Sequence, residues 1–216
     1  MDLTLHSFWQ AAAPFRVRIG LQLKGLSYDY VPVNLAGGEQ GEPPYKALNR
    51  QGLTPALEVG DRILTQSLAI LEWLEETHPE PAILPKAPLD RALVRAMAGI
   101  VACDIHPLNN RRVVRRLGAM GVDPAGVTAW TLDWVRDGFD ALEPMIAANG
   151  AGYAFGDTPT VADCCIVPQA YAAAVRYGMD LSAWPSLAGA YAKALQHPAF
   201  QAAHPDRQPD AQVPHA

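Results

Sequence analysis

The apolar residues of this chain change their period once, and that change limits the folds open to it. As far as residue 78, stretches of alternating character are interleaved with helical ones; from about residue 88 onward only helical spacing is found. Residues 2–6 (DLTLH) alternate as a short strand does. Pro14 then opens the run FRVRIGLQLKG, in which Phe15, Val17, Ile19, Leu21 and Leu23 sit among charged and polar residues. Alternation alone favours a strand there. Against it, Pro14 suits the first turn of a helix, Lys24-Gly25 suits its end, and a second strand signal, YDYVPV, follows at once. The predicted order is therefore strand, helix, strand. Beyond a polar, Gly/Pro-rich loop at 36–44, LTPALEV and RILT read as a hairpin about the turn Gly60-Asp61. QSLAILEWLEETH is then a helix, with Leu68, Ile70, Leu71 and Leu74 on one side and Glu72, Glu75 and Glu76 on the other.

The Pro-rich passage HPEPAILPKAPLD has the character of a connector, and helices are expected at about 88–117, 124–148, 160–176 and 186–196. A length of 216 residues accommodates two compact units. The expectation is an α/β unit over residues 1–79 followed by an all-helical unit over 88–216. A net charge of −5 with no Lys/Arg-rich block argues against nucleic acid and against an anionic membrane surface as partners. No apolar stretch is long enough to cross a bilayer, and the opening MDLTLHSFWQ lacks a basic region followed by an apolar run, so a cytoplasmic protein is expected. Cys103, Cys164 and Cys165 leave one thiol over under any disulfide scheme, which fits a reducing compartment; the adjacent pair reads as small core hydrophobes. No metal site is expected.

Six segments, in order, carry a resemblance: RVRIGLQLKGLSYDYVPVNL, ALNRQGLTPALE, LTQSLAILEWLEETHPEPAILP, DIHPLNNRRV, YAFGDTPTVADCCIVPQ and the tail HPDRQPDA. Together they resemble the zeta class of glutathione transferases, which includes the maleylacetoacetate and maleylpyruvate isomerases, and DIHPLNNRR leans toward the maleylpyruvate branch. The resemblance implies a thioredoxin-like glutathione-binding domain at 1–79 and a helical substrate-binding domain at 88–216. It also implies glutathione as cofactor, a dicarboxylic keto acid as substrate, cis–trans isomerisation as reaction and a homodimer as assembly.

On this resemblance, Gln66 and Ser67 receive the γ-glutamyl end of glutathione, Thr54 and a cis Pro55 pair with its cysteinyl unit, and Gln51, His106 and Asn110 help to hold it. Taken alone, Gln-Ser would only cap a helix and Thr-Pro would only mark an edge strand. Arg111, Arg112 and Arg176 are the candidates for the substrate carboxylates, since Arg forks match them. Arg115 and Arg116 continue the same run, which is also what a solvated helix surface looks like. His106, Asn109 and Asn110, three and four residues apart, would share a helix face. Thr160 to Asp163 reads as a capping box with a structural role.

One departure stands out. Family members carry a Ser/Thr/Cys-rich segment before the first helix, where a hydroxyl donates to the glutathione sulfur; here the segment is Gln10-Ala11-Ala12-Ala13-Pro14. The catalytic candidates that remain are Gln10, His106 and Arg176, together with the positive end of the helix. Two alternatives follow: a transferase, lyase or dehalogenase acting on another electrophile, or a glutathione-binding homologue that has lost catalysis.

Overall fold

The structure is a computed structural model and describes residues 2–212. It divides into two compact units: one takes the chain up to Ile83 together with the residues from Gln196 on, the other runs Leu84–Leu195.

The first unit is built on a four-stranded sheet of order β2-β1-β3-β4. Its strands are β1 (Leu3–Ser7), β2 (Asp29–Pro32), β3 (Ala56–Val59) and β4 (Arg62–Thr65). β1 runs parallel to β2, with Leu5 opposite Tyr30, and antiparallel to β3, with Leu5 opposite Leu57. β3 and β4 form the expected hairpin, turning at Gly60, whose φ of 59° suits glycine. The crossover helix α1 (Ala12–Leu23) and the helix α3 (Ser67–Thr77) pack on each other. They approach closely at Gly20, where an added Cβ would stand 2.4 Å from Leu71 Cδ2. A short helix α2 (Pro43–Leu48) forms inside the segment expected to be loop and just beyond it, and starts on a Pro pair.

α1 explains its own misleading alternation. Every residue from Pro14 to Leu21 is buried, including Arg16 and Arg18, at 2% and 0% exposure. The arginines are not the solvent side of an amphipathic element; they point into the unit and find partners there. A helix buried all round shows no clean 3.6-residue stripe.

The tail departs from the sequence reading, which assigned everything from 88 to 216 to the helical unit. Helix α9 (Pro198–Ala203) packs against α1, and the turns at Pro205–Arg207 and Pro209–Gln212 follow it on the first unit. Val213 to Ala216 lie outside the described residues.

The second unit contains α4 (Pro88–Gly99), α5 (Arg111–Ala119), α6 (Pro124–Asn149), α7 (Val161–Tyr171) and α8 (Pro185–Ala194). The single helix expected over 88–117 is broken. α4 widens into a π-helical turn, Ile100–Ile105, closed by the His106 N–H on the Val101 carbonyl at 2.9 Å. Pro107 has no N–H with which to extend the ladder. Likewise α7 passes into a π turn, Ala172–Arg176. The Thr160–Asp163 capping box is present: the buried Asp163 carboxylate accepts from Thr160 N–H at 2.8 Å, from Thr160 Oγ at 2.9 Å and from Ala154 N–H at 2.8 Å. Cys164 and Cys165 are fully buried beside it, and none of the three cysteines forms a disulfide. Among the described residues no helix is long and apolar enough to cross a membrane, and no cluster of His, Cys, Asp or Glu could hold a metal ion.

Candidate functional site

In the first unit three backbone features lie at the ends of α1, β3 and α3. The entrance to α3 is the most distinctive. Gln66, its N-cap, has φ 70° and ψ 113°, and is the one non-glycine residue with positive φ among the described residues. Such a backbone costs about 1–3 kcal/mol and persists only where the surroundings enforce it. The following Ser67 is buried, and its Oγ accepts from the Nη1 of the buried Arg16 at 3.2 Å. A guanidinium therefore lies behind a helix N-terminus whose first N–H groups have no intrahelical acceptor, and both favour an anion in front of it. The exposed Gln66 side chain donates from Nε2 to Gln51 Oε1 at 2.8 Å, joining the α3 entrance to the loop before β3.

That loop is shaped from below by residues the sequence reading passed over. Tyr45 Oη and Asn49 Nδ2 both donate to the Leu53 carbonyl, at 2.8 and 2.7 Å. Asn49 Oδ1 accepts from Gln51 N–H at 3.1 Å. The peptide Thr54–Pro55 is cis, as the resemblance implies, and Pro55 is buried immediately before β3.

The third feature is the start of α1. A turn closed by Ala11 N–H on the Phe8 carbonyl, 3.0 Å, leads from β1 into the helix. Ala11 is the N-cap and offers no side-chain hydrogen bond. Gln10 is half-buried in the turn, and Ala12 and Ala13 present the first helical N–H groups, since Pro14 has none.

The remaining candidates belong to the second unit. His106 follows the first π turn, and Asn110 caps α5 by accepting from Arg112 N–H at 3.1 Å. Residues 106–110 are thus a bent connection, not one helical face, and the expectation that His106, Asn109 and Asn110 share such a face is corrected. Trp130 Nε1 donates to the Leu108 carbonyl at 2.8 Å and holds the connection against α6. Arg111 and Arg112 are exposed on the first turn of α5. Desolvation, and then repulsion from Arg115, draw Arg111 below the ordinary arginine value. Arg176 closes the second π turn. Its side chain is surface-exposed, yet enough protein surrounds it for desolvation to draw its pKa down against the opposing pull of Tyr171 and Tyr177. The first π turn packs against α7, which runs on into the second.

Sequence reasoning missed Arg16, Arg18, Tyr45, Asn49 and Asp210. For the arginines a signal was available: two cations at i and i+2 in an otherwise apolar run cannot both face water on a helix that is buried.

Comparison with known proteins agrees with this architecture. A family model described as the glutathione S-transferase N-terminal domain matches residues 14–82, and the corresponding C-terminal domain model matches residues 128–193. A maleylacetoacetate isomerase of Pseudomonas aeruginosa is 46% identical over 211 residues, covering 96% of this chain and 98% of that protein. The holo structure of a maleylpyruvate isomerase, described as a bacterial glutathione S-transferase in zeta class, superimposes with a TM-score of 0.94 at 45% identity, covering 96% of this chain and 99% of that one. A maleylacetoacetate isomerase from Methylobacterium extorquens, solved with bound malonate and glutathione, gives a TM-score of 0.91 at 38% identity, covering 97% and 100%. With matches that span nearly the whole of both units, the chain belongs to the glutathione S-transferase family, and within it to the zeta class.

Proposed function

We propose that this protein is a glutathione-dependent cis–trans isomerase of a maleyl keto acid, maleylpyruvate or maleylacetoacetate. The observation that carries the proposal is the enforced left-handed backbone of Gln66 at the entrance to α3, with Ser67 backed by the Arg16 guanidinium and Gln66 tied to Gln51. The residues fit the cofactor: a carboxylate at this entrance meets free N–H groups, a hydroxyl and a positive helix end at once. Relatives named for this isomerisation, one of them solved with glutathione and a dicarboxylate, support the same reading.

In this proposal the first unit binds glutathione and the helical unit binds substrate. Gln66 and Ser67 hold the γ-glutamyl end, Gln51 helps to hold the tripeptide backbone, and the main chain of Thr54 beside Pro55 pairs with the cysteinyl unit. His106 and Asn110, on a connection fixed by Trp130, contribute further donors to the tripeptide. When bound, glutathione supplies a reversible thiol nucleophile, which lets the cis double bond of the substrate turn as a single bond. The Ala12 and Ala13 N–H groups and the Gln10 amide stabilise the thiolate, in place of the hydroxyl that other family members use. Arg111, Arg112 and Arg176 offset the two substrate carboxylates and the negative charge that develops on the keto oxygen, with His106 available to exchange its proton. That His106 and Arg176 each end a π-helical turn supports a site there, since such turns concentrate at functional positions.

The assembly is proposed to be a cytoplasmic homodimer; buried Cys164 and Cys165 and the absence of any disulfide among the cysteines support a reducing compartment, and size-exclusion chromatography tests the dimer. The deciding experiment presents purified protein and glutathione with both maleyl keto acids. Conversion of either that requires glutathione is the expected result. No conversion by the wild type, together with conversion by a variant carrying Ala11→Ser and Ala13→Thr, would overturn isomerase activity for this chain. One observation favours a second reading, a glutathione-binding homologue without sulfur activation: the α1 N-cap carries no side-chain donor. That alternative predicts tight glutathione binding with an unshifted thiol pKa.

A further inference from the structure

One side chain of the tail segment HPDRQPDA, Asp210, reaches the loop that leads into α1. Asp210 Oδ2 accepts the main-chain N–H of Trp9 at 3.0 Å, and Asp210 Oδ1 accepts the Tyr30 hydroxyl at 2.7 Å. The opposite side of the same loop is held by Arg18. Its Nη2 donates to the Trp9 carbonyl at 3.0 Å, its Nη1 lies 3.1 Å from Ser7 Oγ and 3.4 Å from the Phe8 carbonyl, and its Nε donates to the Ala203 carbonyl at 3.0 Å. Trp9 is thus gripped at its C=O by Arg18 of the following helix and at its N–H by Asp210 from the far end of the chain. It is the second residue of the turn that Ala11 N–H closes on Phe8, and α1 begins directly after.

A tail that only needed anchoring could be pinned by Tyr30 alone. The second carboxylate oxygen is spent instead on a main-chain group one residue before Gln10, which fixes the orientation of the turn. That orientation matters more in this chain than in one with a hydroxyl at the same place. A serine or threonine rotor can follow a sulfur atom that shifts by a few tenths of an ångström, whereas the N–H groups of Ala12 and Ala13 point only where the turn and the helix point them. A donor set made of backbone works only if it is pre-aimed.

We infer that Asp210 is a positioning residue for the sulfur end of the glutathione site: by holding Trp9 N–H against the pull of Arg18 on Trp9 C=O, it aims the first N–H groups of α1 at the thiolate. The inference rests on the proposal that the glutathione sulfur lies at that helix end. Asp210 touches neither cofactor nor substrate in it, and the tail thereby becomes part of the activating device.

The test uses the full-length protein and three variants, Asp210→Ala, Asp210→Asn and Tyr30→Phe, with glutathione as the probe. Binding is measured by calorimetry, the pKa of the bound thiol by ultraviolet titration of thiolate absorbance, and kcat and KM with whichever maleyl keto acid the wild type converts. Asp210→Ala is expected to keep glutathione affinity within about threefold, because the γ-glutamyl end is held elsewhere, while the bound-thiol pKa rises toward that of free glutathione. Its kcat should fall by about tenfold or more at nearly unchanged KM. Asp210→Asn keeps an oxygen for Trp9 N–H and should recover most of that kcat; Tyr30→Phe frees one side of the carboxylate and should show a smaller loss of the same kind. If Asp210→Ala does not fold, the other two variants carry the measurement. A folded Asp210→Ala with wild-type thiol pKa and kcat would overturn the positioning role, as would a Tyr30→Phe that leaves both unchanged where Asp210→Ala does not fold, or a loss confined to affinity and stability. A wild type that binds no glutathione is a separate result, and takes down the functional proposal together with the inference built on it.

Discussion

At the scale of single residues, buried charge and enforced backbone carry the argument. Arg18 is wholly buried, and desolvation draws its pKa down to about 10, against smaller opposing effects of Tyr30, Tyr28 and Asp210. It remains charged at neutral pH and donates to the carbonyl groups of Trp9 and Ala203. Its guanidinium also stands 5.1 Å from the centre of the Phe15 ring. Replacing it by Met keeps length and loses those donors, so Arg18→Met should lower unfolding free energy by about 3 kcal/mol in a urea titration. Gln66 predicts the reverse combination. Glycine adopts its φ without strain, so Gln66→Gly should raise unfolding free energy by about 1 kcal/mol while glutathione affinity falls. A variant both less stable and equally tight in binding would contradict the reading of Gln66 as strain retained for function.

At the scale of elements, the start of α7 is the clearest case of a polar group held for structure. The Asp163 carboxyl is completely buried, and desolvation raises its pKa to about 6 despite hydrogen bonds from Ala154 and Thr160 that pull it down. A group whose folded pKa stands above its unfolded value favours the folded state fully below the unfolded value, and that contribution is lost as pH rises through the folded one. Asp163 should therefore make stability decline between about pH 4 and pH 6. In Asp163→Asn this slope should vanish, and an amide N–H2 would meet the Thr160 N–H, lowering stability at pH 7 by about 2–4 kcal/mol; thermal unfolding across pH reads both effects. The π turns behave differently. Each interrupts a regular ladder at a place where no capping signal stands in the sequence, and each ends at a residue proposed to act on substrate.

At the scale of the whole molecule, the first unit is discontinuous. α1 packs on α9, and the Arg18 and Asp210 bonds join segments nearly two hundred positions apart in sequence. A fragment of residues 1–83 alone lacks that cover and leaves the buried α1 face open, so it should show no cooperative unfolding transition; a sharp transition would mean that α9 and the tail are accessory to the unit. Much of the architecture was legible without coordinates. Alternation and turn residues located four strands, the hairpin at Gly60 and the start of α3, because a half-buried strand must alternate and a tight turn needs glycine. Gln66-Ser67 and Thr54-Pro55 stood out only through the family resemblance; taken alone they read as a helix cap and an edge strand. The partners of the buried Arg16 and Arg18, the π-helical form of the turn before Pro107, and the return of the tail to the first unit were not readable. Each depends on which distant group supplies a partner, and hydrophobic period carries no record of that. Local order came from the chain's own spacing of apolar, glycine and proline residues. What holds the loop before α1 was decided only when residues far apart in sequence met in space.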